Sequence, residues 1–193
     1  MLSDLVKAAR SYRRYDPSKP LDTETIKAFV DTARLTPSAG NLQRLRYLAV
    51  TDKSEVLTLT KEVKWAGYLS DWDGPAENEA PTAYLLLLSP EKTGVSQIDV
   101  GIAAETILLA ATEKGYGGCM ILNFPREELT KRYNLAGRYK IELVISLGVP
   151  AEKVELEYVK DDNIRYYRDE YDVHRVPKRA LSEVFFTPDD LTD

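Results

Sequence analysis

The sequence predicts an α+β fold in which helices surround a sheet of four or five strands. Three observations predict it. Apolar residues recur at helical spacing around 22–36 and 97–114. Short, almost unbroken apolar runs at 84–88 and 141–147 have the character of buried strands. The 193 residues are 44% hydrophobic and 30% charged, ordinary globular composition with enough apolar material for one core. A single domain over 1–193 is therefore expected, with no internal repeat.

Taken in order, Ser3 can cap a short first helix whose apolar face is Leu2, Leu5 and Val6. Arg10-Ser11-Tyr12-Arg13-Arg14-Tyr15 follows, closed by Asp16-Pro17. Asp22 or Thr23 caps the next helix, carrying Ile26, Phe29, Val30 and Ala33 on one face and ending at Thr36-Pro37. Pro37 to Asn41 is a turn-rich loop. Tyr47 to Val50 reads as a strand and Ser54 to Val63 as a helix. Lys64 to Pro81, with Gly67, Gly74 and both tryptophans, reads as an irregular loop. Tyr84 to Leu88 is a strand, and Gln97 to Lys114 a long alanine-rich helix apolar over much of its circumference, with Gly115 as its cap. Cys119 to Leu122, Arg126 to Asn134 and Ile141 to Leu147 complete the pattern as strand, helix and strand. The remainder, 151–193, is charged and rich in tyrosine. Without apolar periodicity it cannot hold a core of its own, so it is either disordered or laid across another surface.

Composition excludes several functions. The net charge of −5 argues against nucleic acid as the main partner. One cysteine, Cys119, allows no internal disulfide, and one histidine, His174, leaves no zinc set and no plausible nucleophile–histidine pair. No apolar stretch approaches the ~20 residues needed to cross a bilayer, and the first ten residues lack a signal-peptide core, so a cytoplasmic protein is expected. With so few catalytic side chains, a cofactor is expected to carry any reaction.

Three groups of residues could bind such a cofactor. Arg10, Arg13 and Arg14, with Ser11 among them, suit a phosphate through guanidinium forks, or form a solvated basic patch. Lys178-Arg179, near Arg175, is a second basic cluster. Ser38, Asn41 and Gln43 offer a hydroxyl and two amides that can read a heterocycle or polyol, or simply shape a capping loop. Gly115-Tyr116-Gly117-Gly118 precedes a strand, the reverse of a Rossmann fingerprint. These glycines either end the helix or admit a flat ligand close to the backbone.

Together and in order, these segments resemble the nitroreductase-like FMN-dependent family. The resemblance rests on Arg10 to Tyr15, on Pro37-Ser38-Ala39-Gly40-Asn41-Leu42-Gln43, on Asp99 to Ala104 leading into Gly115 to Met120, and on Val176-Pro177-Lys178-Arg179 with Leu181 and Glu183. It implies an α/β/α sandwich with a mainly antiparallel sheet, assembled as a homodimer with FMN at the interface and a C-terminal arm (151–193) extending over the partner subunit. Arg10, Ser11 and Arg13, with Lys178 and Arg179, would hold the phosphate and ribityl chain. Ser38, Asn41 and Gln43 would contact the ribityl or the ring edge, and backbone at Met120, Ile121 and Leu122 would lie beside the isoalloxazine. The implied activity is NAD(P)H-dependent reduction of small electrophilic acceptors, such as nitroaromatics or quinones, by ping-pong hydride transfer through flavin N5.

The chain departs from the family at Ala9, where many members carry Arg or His, and at Arg44-Leu45, which replaces a frequent Pro-Trp. The 64–81 loop could roof a substrate pocket with Trp65, Tyr68 and Trp72. Other readings are a dehalogenating or dehydrogenating branch of the family, a flavin-storage protein without turnover, and an RNA-binding module built on the arginine–tyrosine cluster.

Overall fold

Four strands with only antiparallel neighbours form the larger sheet: β1 (Arg46–Val50), β2 (Ala83–Pro90), β3 (Gly117–Ile121) and β4 (Tyr139–Gly148), in the order β1-β2-β4-β3. The central pair, β2 and β4, consists of the two apolar runs legible in the sequence. Being central, they are covered on both faces and need no polar alternation. The computed structural model describes residues 1–191. It divides into a first unit, residues 1–65 with 73–151, and a second made of 66–72 with the chain from Glu152 onward.

In the first unit, α2 (Thr23–Ala33) and α4 (Gln97–Glu113) cover one face of the sheet. Ile26, Phe29, Ala103 and Ile107 meet Leu85, Leu87, Leu143 and Ile145 in one buried cluster. Burying a side chain of this kind contributes roughly 1.5–3 kcal/mol. α3 (Lys53–Glu62) and α5 (Arg126–Arg132) contact β2 and β4 respectively. Thr60 of α3 hydrogen-bonds the hydroxyl of the fully buried Tyr84 at 2.9 Å. Burial raises the Tyr84 pKa well above the ordinary phenol value, so that hydroxyl stays neutral.

The cap signals at Asp22 and Gly115 hold, with one exception among the caps, and α2 stops at Ala33, three residues short of Thr36. Asp22 caps α2 and Asp52 caps α3, each accepting a backbone N–H of the first turn. α4 closes with paired bonds from Tyr116 N–H to the Ala111 carbonyl at 2.9 Å and from Gly115 N–H to Thr112 at 3.0 Å. Gly115 takes φ +80°, the left-handed turn that a glycine accepts without strain. The exception is Ser3, expected as the first cap. α1 (Leu2–Ala8) already includes it, and the Met1 amine binds Asp4 at 3.0 Å instead.

The register slips by one residue where Leu87 faces Leu143 and Leu88 faces Ile141, leaving Glu142 as the extra residue of a bulge. Its buried carboxylate accepts from Ser89 Oγ at 2.6 Å, Gln97 Nε2 at 3.0 Å and Lys140 Nζ at 3.4 Å. Burial pushes this carboxyl upward, but Ser89, Gln97 and Lys140 together outweigh it and hold the group below the usual carboxylate range.

The second unit has its own sheet, β5 (Val154–Tyr158), β6 (Tyr167–Arg168) and β7 (His174–Lys178), with β7 central, parallel to β5 and antiparallel to β6. This corrects the alternative that the segment after 151 is structureless, while its packing is not made from that segment alone. The missing apolar material comes from 66–72. Tyr68 packs on Tyr166 with ring centres 4.9 Å apart, and the Arg168 guanidinium lies 4.9 Å from the Trp72 ring. His174 is fully buried beside Tyr166, and Arg168 pairs with the buried Glu152 at 2.8 Å.

Candidate active site

The Arg10–Tyr15 segment is extended and runs along the outer edge of β3. Ser11 bridges Gly118 in parallel, and Tyr12 N–H donates to the Gly118 carbonyl at 3.0 Å. Tyr15 then bridges Pro150, and its buried hydroxyl meets Ser146 Oγ at 2.8 Å and donates to the Tyr12 carbonyl. The motif is thus stitched to the sheet edge. A Cβ on Gly117 would sit 2.5 Å from the Tyr12 ring, and one on Gly118 would sit 2.4 Å from the Ser146 carbonyl oxygen. These two glycines serve the chain's own packing. The close approach they permit is to Tyr12 and β4.

The three arginines of the motif differ in surroundings. Arg10 Nη2 donates to the Val6 carbonyl at the end of α1 at 2.6 Å, while its buried Nε–H has no hydrogen-bond acceptor among the described residues. Arg13 is buried, with Nη1 donating to the Ser11 carbonyl at 3.1 Å. Arg14 pairs with Glu79 at 3.2 Å, which fixes the 3-10 turn Glu77–Glu79 against the segment. Arg10, Ser11 and Arg13 therefore remain one local group, and Arg14 is committed to structure.

The 38–43 loop is held by Asp99, whose carboxylate accepts the Ala39 N–H at 3.0 Å from the first turn of α4. Gly40, Asn41 and Gln43 all adopt left-handed backbone, at φ +56°, +53° and +47°. Glycine and asparagine tolerate it; for Gln43 it costs on the order of 1–3 kcal/mol, a strain sustained only where surroundings enforce it. Here Ser38 Oγ accepts the Gln43 N–H at 3.3 Å. Ser38 and Gln43 share the wall of a cleft of about 190 Å³ with Asp99, Ala103, Arg34, Arg44 and Arg46; Asn41 lies outside it.

On β3, Met120 is partly exposed and Ile121 buried, and Leu122 just beyond the strand is exposed. Continuity of the strand brings them onto the same edge as Ser11. Trp65 is buried, its Nε1 donating to the Thr60 carbonyl at 2.9 Å and its ring against Gly74, so it anchors the 64–81 loop from inside. Tyr68 and Trp72 belong to the second unit, as do Lys178 and Arg179. Lys178 ends β7 opposite Tyr158, and Arg179 pairs with Asp162 at 2.5 Å and Glu183 at 3.3 Å.

Sequence reasoning gave no role to Asp99 or to the arginines of the cleft. Asp99 reaches the loop across 60 residues, a separation no local pattern reports. Arg34, Arg44 and Arg46 did carry a signal, as three guanidinium groups within thirteen positions of an acidic chain. Among the described residues no helix is long and apolar enough to cross a membrane.

Comparison with known proteins agrees with this architecture. Over 176 residues the chain is 26% identical to the Bacillus subtilis protein named "Putative NAD(P)H nitroreductase YodC", covering 75% of this chain and 87% of that one. Over 168 residues it is 29% identical to the iodotyrosine deiodinase of Thermotoga neapolitana, covering 78% and 89%. Among solved structures, an FMN-dependent nitroreductase of Clostridium difficile R20291 superposes with a TM-score of 0.63 at 21% identity, covering 84% of this chain and 94% of its own, a likeness of fold. Residues 6–149 match the family model described as "Nitroreductase family". They hold both the Arg10–Tyr15 segment and the 38–43 loop, and the chain belongs to the Nitroreductase family.

Proposed function

We propose that this oxidoreductase uses FMN and NAD(P)H to reduce small electrophilic acceptors, nitroaromatics or quinones among them, as a homodimer. The observation that carries the reading is the union of the Arg10–Tyr15 segment with the β3 edge. It sets Arg10, Ser11 and Arg13 beside the strand that holds Met120 and Ile121. A phosphate fits there on structural grounds, because the buried Arg10 Nε–H is a donor still lacking an acceptor. FMN, when bound, would supply the hydride-accepting ring. In this reading Ser38, Asn41 and Gln43 orient the ribityl and the ring edge, and the backbone of Met120, Ile121 and Leu122 lines one side of the ring. Lys178 and Arg179 are assigned to the cofactor on their motif alone. Tyr68 and Trp72 are assigned to the acceptor on their place in the sequence alone, and the arm after 151 is assigned to the partner subunit.

The test is an absorbance spectrum of the purified protein before and after anaerobic NADH or NADPH. A flavin spectrum that bleaches on addition is expected. A protein that stays colourless after incubation with excess FMN would overturn the cofactor assignment. Flavin that neither nucleotide bleaches would favour storage over turnover.

The Thermotoga relative favours one further reading, reductive dehalogenation of an aromatic substrate. Halide release from an iodinated phenol under dithionite, measured beside nitroaromatic reduction by NAD(P)H, separates the two.

A further inference from the structure

The cleft of about 190 Å³ at the end of α2 is unusually cationic for a chain of net charge −5. Three guanidinium groups line it, and their partners differ. Arg34 is committed to Asp31 at 2.6 Å. Arg44 Nη1 donates only to the Thr93 carbonyl at 3.2 Å, and Arg46 Nη1 to the carbonyls of Gln43 and Leu45 at 3.0 and 2.7 Å. Carbonyls orient a guanidinium without neutralising it. Arg44 and Arg46 thus keep their full charge, each with Nε and Nη2 uncommitted and no carboxylate pairing with either among the described residues. The one carboxylate on the wall, Asp99, directs Oδ1 at the Ala39 N–H.

We propose that this cleft binds a phosphate group through Arg44 and Arg46, and that the phosphate is the 2′-phosphate of an NADPH donor. Two adjacent forks in a partly enclosed site match the oxygens of a phosphate monoester. Size narrows the ligand. Pockets for whole drug-sized ligands run from about 300 to 1,000 Å³, so this one takes a terminal group of a larger molecule that continues into solvent. The phosphate site stands on the cleft itself, whereas naming the donor as its source rests on the nicotinamide-dependent reading above.

The experiment is calorimetric titration of the purified, flavin-loaded protein in a phosphate-free buffer. The probes are adenosine 2′,5′-bisphosphate, adenosine 5′-monophosphate and inorganic phosphate, applied to the natural chain and to the Arg44→Gln/Arg46→Gln double variant. Hydrogen bonds to charged groups are worth about 1.5–3 kcal/mol, so the bisphosphate is expected to bind at least about tenfold more tightly than the monophosphate. The double variant is expected to lose that preference, and the NADPH/NADH ratio of kcat/KM is expected to fall with it. Should that variant be unstable, Arg44→Lys/Arg46→Lys, which keeps charge but loses the forks, is expected to lose part of the preference. A bisphosphate preference that survives in the double variant, or no arginine-dependent binding of any of the three probes, overturns the proposal. Arginine-dependent binding of inorganic phosphate without a bisphosphate preference supports the phosphate site and overturns the donor as its source. Flavin absorbance of the same samples reads the cofactor assignment separately, so a flavin-loaded protein that binds none of the probes through Arg44 and Arg46 refutes the cleft and leaves the cofactor reading standing.

Discussion

Replacing Gly118 by alanine tests how the N-terminal motif is held. A Cβ there would lie 2.4 Å from the Ser146 carbonyl oxygen, 2.8 Å from Leu108 Cδ2 and 3.0 Å from Leu147 Cδ2. The leucine termini can rotate away, but the carbonyl belongs to β4, whose ladder with β2 and β3 fixes it. Relief therefore requires β3 to shift by about 1 Å, since ordinary carbon contacts begin near 3.5 Å. Overpacking of this kind costs about 1–3 kcal/mol, and an immovable backbone obstacle places it at the upper end. At about 2–4 °C per kcal/mol for a chain of this size, Tm should fall by roughly 6–12 °C. Because Gly118 also carries the Ser11 bridge and accepts from Tyr12, FMN affinity should fall with it. Circular dichroism melting and flavin titration at one fixed protein concentration read both effects. Gly101→Ala is the control. Its Cβ meets nothing within 4 Å and it lies inside α4, so helix propensity should raise stability by about 0.5–1 kcal/mol. A Gly118→Ala melt within about 2 °C of the natural chain would show that the edge of the sheet yields, and the packing account of the motif would fail.

Tyr15→Phe removes the hydroxyl that joins Ser146 to the Tyr12 carbonyl inside the core, leaving buried polar groups unmatched. A loss of about 1–3 kcal/mol in urea denaturation is expected, and an unchanged midpoint would mean the core repacks around the gap. Glu142→Gln should flatten the acid side of the stability profile. The folded carboxyl titrates below its unfolded value, so its contribution is complete above the ordinary carboxylate range and disappears as pH falls through the folded pKa. Urea midpoints measured between about pH 6 and pH 3 should therefore drop less in the variant than in the natural chain, and parallel curves would contradict this.

Where contacts are local, the sequence was readable. The Asp22 cap, the left-handed Gly115 and the two buried central strands all lie where propensity and burial agree. Ser3 misled because a cap residue and a first-turn residue have the same preferences, and only the bond made by Met1 decides between them. The second unit was illegible for a different reason. Its aromatic cluster joins Tyr68 and Trp72 to residues nearly a hundred positions away, and the pairing of β5 with β7 is parallel and so not signalled by any hairpin turn. Trp65 shows the same limit on a smaller scale. A tryptophan in a glycine-rich loop reads as a lid, yet here its ring closes over Gly74 and its N–H is spent on a helix carbonyl.

The 38–43 loop shows how strain can locate function when motifs are loose. Three left-handed residues within four positions, one of them a glutamine, are not a conformation the loop would choose alone. It persists because the loop is braced twice, by Asp99 from α4 and by Ser38 across its own neck. Neither brace is needed to connect α2 to β1, since a relaxed turn would span the same elements. What the brace does achieve is to bring Ser38 and Gln43 onto one wall with Arg44 and Arg46. A loop that spends stability on presenting donors toward a cleft is positioned for a ligand. That argument holds for the proposed cofactor contacts of Ser38 and Gln43 and for the arginine cleft alike, so relaxing the brace by Asp99→Ala should weaken flavin and phosphate binding together.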